Sequence, residues 1–193
     1  MARVGRLAAA LIMVVLVTAT AHAEARDAEV AAWQALRDGE AVLIIRHALA
    51  PGTGDPAGFR LGDCRTQRNL NETGRQQSRA WGDFLRAQGI VEARVLSSEW
   101  CRAWDTATGM GLGVVEALPA LNSFFQDRSQ GPARLSALIG FLNGQTHPEP
   151  LVLVTHQVNM TGLTGLVPRS NEGFILPLPV APDSPVLLRI LPP

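Results

Sequence analysis

The chain contains no lysine and no tyrosine: all 17 basic residues are arginine, matched by 17 acidic ones. The missing lysine excludes a catalytic lysine or a Schiff-base mechanism; a compositional bias accounts for the absence itself. The zero formal charge provides no basic field, which argues against nucleic acid as a partner. Aromatic residues are scarce, so aliphatics must build the core. Cysteine is limited to Cys64 and Cys101. After the N terminus no apolar run is long enough to span a membrane. At 193 residues the chain accommodates one domain with a real core rather than two, and no repeat, low-complexity tract or linker divides it.

The N terminus reads as a targeting segment. Arg3 and Arg6 form a positive region, Leu7 to Val17 an apolar one, and Ala21-His22-Ala23 fits a small-x-small cleavage rule. The expectation is a cleaved signal peptide over 1–23, a single domain over 24–193, and a periplasmic or secreted protein with no stable membrane span after cleavage. In an oxidising compartment the Cys64 and Cys101 pair reads as a disulfide, with two free thiols or half a metal site as the alternatives. Two isolated cysteines are too few for a metal.

Hydrophobic spacing predicts strands alternating with helices. A helix from Ala28 to Arg37, capped by Asp27, places Val30, Trp33 and Leu36 on one face. Strand Ala41–Arg46 follows, then a long polar loop from Ala48 to Asn69. A helix capped by Asn71 runs to about Gln88, followed by strand Arg94–Ser97 and a helix from Glu99 to Gly109 capped by Ser98. A weaker strand at Val114–Leu118 precedes a helix starting at Pro132, where proline is tolerated. The last elements are strand Leu151–Thr155, a helix from Val158 to Leu166, and two antiparallel edge strands, Gly173–Leu176 and Pro185–Ile190. The pattern is that of an α/β three-layer sandwich with a mostly parallel central sheet.

Three predicted strand ends carry chemistry. The first delivers Arg46 and His47, the second leads through Ser97 and Ser98 to Arg102, and the third delivers His156. Open α/β sheets place ligands beyond the carboxyl ends of their strands. Two guanidiniums, two imidazoles and nearby helix N-termini would attract an anion. The arginine fork matches phosphate oxygens, and neighbouring cations keep a histidine neutral and nucleophilic. A zinc hydrolase built on His47 and His156 is disfavoured because the same arginines would repel the cation.

These residues resemble the signatures of the histidine phosphatase superfamily, the phosphoglycerate-mutase-like fold. The matching stretches are Ile44-Ile45-Arg46-His47-Ala48, Asn69-Leu70-Asn71-Glu72-Thr73-Gly74, Ser97-Ser98-Glu99-Trp100-Cys101-Arg102-Ala103-Trp104-Asp105-Thr106-Ala107, and Leu151-Val152-Leu153-Val154-Thr155-His156. The resemblance implies a phosphatase acting on a small phosphorylated substrate. His47 would become a phosphohistidine, while Arg46, Arg102 and His156 would bind the phosphate, with no metal and no cofactor. A short chain without large insertions fits a hydrolase better than a mutase. Ala48 stands where the signature has glycine, so that turn needs no glycine-only conformation.

The general acid is the departure that matters. The resemblance places it either in the loop after the third strand, here Asn122-Ser123, or directly after the second histidine, here Gln157; neither is a carboxylate. Asp127 is the candidate substitute, and a turn aspartate or an ion pair with Arg128 accounts for it equally. The alternative to an enzyme is therefore a non-catalytic phosphate-binding relative that lacks the acid. Arg60, Arg65 and Arg68 either receive an anionic substrate or lie on a solvated loop, and a Cys64–Cys101 bridge would hold that loop beside Arg102. Trp100 and Trp104 read as packing residues, and His147 as an inert loop residue.

Overall fold

Each apolar run becomes a strand. The structure, a computed structural model, describes residues 23–144, 146 and 148–191; the expected signal segment up to residue 22 and His147 lie outside the described residues. The strands are β1 (Ala41–Arg46), β2 (Arg94–Ser97), β3 (Val115–Ala117), β4 (Leu151–Thr155), β5 (Gly173–Pro177) and β6 (Leu188–Ile190). They form one sheet in the order β3-β2-β4-β1-β5-β6. The first four are mutually parallel, and β5 runs antiparallel to both β1 and β6. Of the two strands expected at an edge, only β6 is there; β5 pairs on both sides, as the all-apolar sequence Phe174-Ile175-Leu176 allows.

The helices are α1 (23–37), α2 (Glu72–Ala87), α3 (Cys101–Met110), α4 (Gly131–Asn143) and α5 (Gln157–Thr164). Alternate strand residues feed two cores, as the two-residue period of a strand demands. Leu43, Ile45, Val95, Val152 and Val154 pack with Trp33, Leu36, Trp81 and Leu85 from the α1 to α3 side. Val42, Ile44, Leu96, Leu151 and Leu153 pack with Leu138, Leu142, Met160 and Leu163 of α4 and α5. The result is the three-layer αβα sandwich the spacing predicts. Helix α2 approaches α3 so closely that a Cβ at Gly82 would fall 2.0 Å from the Met110 carbonyl oxygen, so this position is held to glycine.

Three local expectations are corrected. Residue 27 lies inside α1 rather than capping it, and Val30 is exposed; only the last two turns, with Trp33 and Leu36, reach the sheet. Helix α3 starts two residues later than expected, with Trp100 as an extended N-cap that makes no side-chain cap bond. Helix α5 stops at Gly165, whose φ of 70° reverses the chain before Leu166.

Register aligns the site. Arg46 is opposite Thr155 in the β1–β4 pair, and Ser97 is opposite Val154 in the β2–β4 pair. The His47 amide donates to the Thr155 carbonyl and the Ser98 amide to the Val154 carbonyl. His47, His156 and Ser98 therefore leave three adjacent strands at one sheet edge.

Candidate active site

Beyond that edge lies a cleft of about 130 Å³, lined by Arg46, His47, Asp55, Arg68, Arg102 and His156, by residues 52–54, and by Ser123, Phe125, Gln157 and Val158. His47, Arg102 and His156 are 2%, 3% and 3% exposed. The two imidazoles lie edge to face with centroids 5.4 Å apart. The expected nucleophile His47 and two of the three side chains expected to bind phosphate, Arg46 and His156, are thus delivered by strand ends, and Arg102 by the first turn of α3.

Hydrogen bonds assign roles to the ring nitrogens. His47 Nδ1 sits 2.8 Å from the carbonyl oxygen of Ala48, an acceptor only, so Nδ1 carries the proton. Its Nε2 then holds a lone pair, toward which the Arg102 Nε–H points from 3.3 Å. Ala48 keeps negative φ; the described residues other than glycine with positive φ are Asn171 and Asp183. Ser98 Oγ lies 2.8 Å from His156 Nε2, and His156 Nδ1 has no protein partner. Recruitment of Ser98 by His156 and by Asn122 accounts for its absence from a regular helix cap.

Burial, followed by the charge of Arg102, holds the His47 imidazole well below its ordinary pKa; burial and the neighbouring His47 do the same for His156. Both are therefore neutral at neutral pH. Burial, reinforced by Arg102, lowers the pKa of Arg68 to about 10, still fully cationic. The Arg46 guanidinium donates to the Pro168 carbonyl at 2.9 Å, while its Nε finds no protein partner. Three cations and two neutral imidazoles line a cleft with a single carboxylate among its lining residues, so the site favours an anion.

That carboxylate is Asp55, which sequence reading passed over. Its side chain is 4% exposed, and Arg102 donates to it through Nη1 at 2.6 Å and Nη2 at 3.2 Å. Trp100 Nε1 donates to its Oδ2, which also accepts from Arg102 Nη2, at 3.0 Å. Burial opposes its ionisation, but the bonds from Arg102 and Trp100 outweigh this and hold its pKa below the usual carboxylate range. Trp100, expected only to pack, thus positions Asp55; it also stacks on Phe59 and meets the His156 ring edge-on.

Asp127 is elsewhere. It caps the turn at Arg128–Gln130, bonding Ser129 and Gln130 on the exposed surface, and it does not line the cleft. Ser123 and Gln157, the two positions where the resemblance would place an acid, do line it and carry no charge. Of the three loop arginines, only Arg68 reaches the cleft; Arg60 and Arg65 pair with Asp63 at the surface. Cys64 and Cys101 are bonded across 37 residues, which holds the loop bearing Asp55 and Arg68 against the start of α3. Among the described residues no group of three His, Cys, Asp or Glu is arranged to hold a metal ion.

Residues 42–123 match the model of the histidine phosphatase superfamily, branch 1. Over that stretch the chain is similar to the histidine phosphatase superfamily. The match supports a phosphoric monoester hydrolase as the reaction class. The chain shares its fold with the protein assigned as phosphohistidine phosphatase SixA from Agrobacterium tumefaciens, at a TM-score of 0.56 and 16% identity over 80% of this chain and 99% of that one. A SixA complexed with tungstate gives 0.52 at 20% identity, over 79% and 97% of the two chains. Mycobacterial glucosyl-3-phosphoglycerate phosphatase complexed with VO3 gives 0.54 at 17% identity, over 76% and 98%. No curated protein matches the sequence.

Proposed function

We propose that this phosphatase works through a phosphohistidine on His47 Nε2 and that Asp55 is its general acid. The observation that carries the nucleophile is the Nδ1 contact to the Ala48 carbonyl, which leaves the lone pair on Nε2, held by the Arg102 Nε–H in the free protein, of an imidazole that lines the cleft. Nε2 attacks phosphorus as the bond to the leaving oxygen or nitrogen breaks. Arg46, Arg68 and Arg102 hold the phosphoryl oxygens, joined by His156 once the bound dianion draws a proton onto its Nδ1, and stabilise the charge that builds in the transition state. Water then attacks phosphorus, the N–P bond breaks, and phosphate and neutral His47 are released. The arginines supply the positive charge that magnesium provides in other phosphoryl transfers.

Without substrate, the Asp55 carboxylate occupies the Arg102 fork that a phosphoryl group would claim. A phosphate dianion competing for that fork removes the stabilising cation from Asp55 and brings negative charge beside it. Both changes raise its pKa, so the bound complex can hold Asp55 protonated. The acid passes its proton to the leaving atom and recovers one from the attacking water. The SixA and mycobacterial phosphatase structures are complexed with tungstate and VO3, and an oxyanion bound to proteins of the same fold supports the anion reading here.

Export to an oxidising compartment belongs to the same proposal. Its support is the targeting pattern of residues 1–23 and the Cys64–Cys101 bond, which reducing compartments disfavour. The test of the central claim compares wild type with His47→Ala on a panel of phosphomonoesters and phosphoramidates, with acid quenching to trap the adduct. Turnover and an acid-labile phosphoenzyme in wild type alone are expected. A wild-type protein that binds phosphate through Arg102 yet turns over nothing would leave the non-catalytic anion-binding reading.

A further inference from the structure

The cleft is small for a ligand site, since pockets for small molecules usually enclose about 300–1,000 Å³. It takes a phosphoryl group and little more, so the rest of a substrate must leave it in some direction. One wall leads somewhere. Gln157 and Val158, the first residues of α5 after His156, line both the cleft and a second groove of about 790 Å³ between α4 and α5. On the opposite side the chain divides the two spaces residue by residue: Ser123 and Phe125 face the cleft, and Phe124 faces the groove.

The groove is lined mainly by carbon. Phe124, Pro132, Leu135, Ile139 and Val158 form its walls. Two of its lining residues are glycines against which its apolar side chains pack: a Cβ at Gly162 would fall 2.5 Å from Leu135 Cδ1, and one at Gly131 3.1 Å from the Phe124 ring. Arg128, with its guanidinium 5.0 Å from the Phe125 ring centroid, is its charged lining residue.

Resting on the phosphatase reading above, we infer that the groove holds the apolar part of the substrate, and that the substrate class is phosphomonoesters carrying a hydrocarbon chain. The argument is continuity. Gln157 and Val158 form a wall common to both spaces, so a molecule whose phosphoryl group lies against His47 and Arg102 has the apolar groove next to it, and a single ligand reaching past these two residues satisfies both the charged and the apolar surfaces. A polar sugar phosphate would leave Phe124, Leu135 and Ile139 wet and gain nothing from the groove.

The test is a series of 4-alkylphenyl phosphates from methyl to octyl, kept below micelle formation, in which the phenol leaving group stays nearly constant. Wild-type kcat/KM is expected to rise about two- to fourfold per added methylene over the first several carbons, as burial of CH₂ predicts. Ser136 is exposed on α4, lines the groove and takes no part in the cleft. Ser136→Trp should flatten this rise, and Ser136→Glu should reverse it, while both hydrolyse the methyl compound at the wild-type rate. Calorimetry with the matching non-hydrolysable methyl- and octylphenyl phosphonates reads the same preference without turnover.

A flat series with good turnover overturns the groove assignment and leaves the phosphatase reading standing; absence of turnover throughout, with chain-dependent phosphonate binding, does the reverse. Peptides phosphorylated beside aliphatic residues that outperform the octyl compound, or a Ser136→Trp variant that dissociates a dimer of the wild type, assign the groove to a protein partner and overturn the inference.

Discussion

Replacing Asp55 by asparagine removes one charge and keeps the shape of the side chain. In the free protein the carboxylate takes two charge-assisted hydrogen bonds from Arg102 and one from the Trp100 indole, all in a buried setting. Each charge-assisted bond contributes about 1.5–3 kcal/mol, so weakening even one should free the Arg102 fork for an oxyanion. Vanadate or phosphate is expected to inhibit Asp55→Asn at least about tenfold more tightly than wild type, equivalent to about 1.4 kcal/mol. Turnover should respond in the opposite direction. General acid catalysis contributes about 10²–10⁴-fold, so kcat/KM on an alkyl phosphate should fall by that factor. A 4-nitrophenyl phosphate, whose leaving group needs no proton, should lose less than about tenfold. In wild type kcat should fall as pH rises through the pKa that Asp55 has in the complex, because the acid must be protonated; the variant should lack that limb. Equal losses on both substrates, or unchanged vanadate inhibition, would refute the assignment.

Acid should unfold the protein before its carboxylates titrate. Burial holds His47 and His156 well below the ordinary value of 6.5, so below that pH the unfolded chain binds protons that the folded chain does not. Stability is complete above pH 6.5 and falls as pH drops beneath it, by up to about 1.4 kcal/mol per pH unit for each histidine; denaturant titrations from pH 7 to 5 check the slope. Removing the Cys64–Cys101 bond, by reduction or Cys64→Ser with Cys101→Ser, should cost about 4 kcal/mol by loop-closure entropy and lower Tm by roughly 10 °C in calorimetry. It should also depress kcat/KM, because the bond holds Asp55 and Arg68 at the cleft. Asp127→Asn should leave kcat/KM and its pH profile unchanged, since this carboxylate is a surface turn cap.

The sequence by itself determined the strands, the sandwich and the nucleophile's neighbourhood. Apolar runs ending in Arg46-His47, Ser97-Ser98 and Thr155-His156 report a buried parallel sheet locally, because burial on both faces demands continuous aliphatics. Parallel register then brings those ends together whatever the loops do. The long loop after His47 has no such periodicity, and its placement depends on groups far away in sequence. Asp55 is fixed by Arg102 and Trp100, 47 and 45 residues on, and Arg68 by carbonyls across the loop. One signal was available: a Cys64–Cys101 bond places this loop beside Arg102, and the loop carries two acids, Asp55 and Asp63. Asp127 follows Asn122-Ser123 closely in sequence, but a local turn bond from the Ser129 amide holds it at the surface. Which carboxylate reaches the cleft is a long-range electrostatic choice, and only the tertiary structure, by bringing Asp55 onto Arg102, makes it.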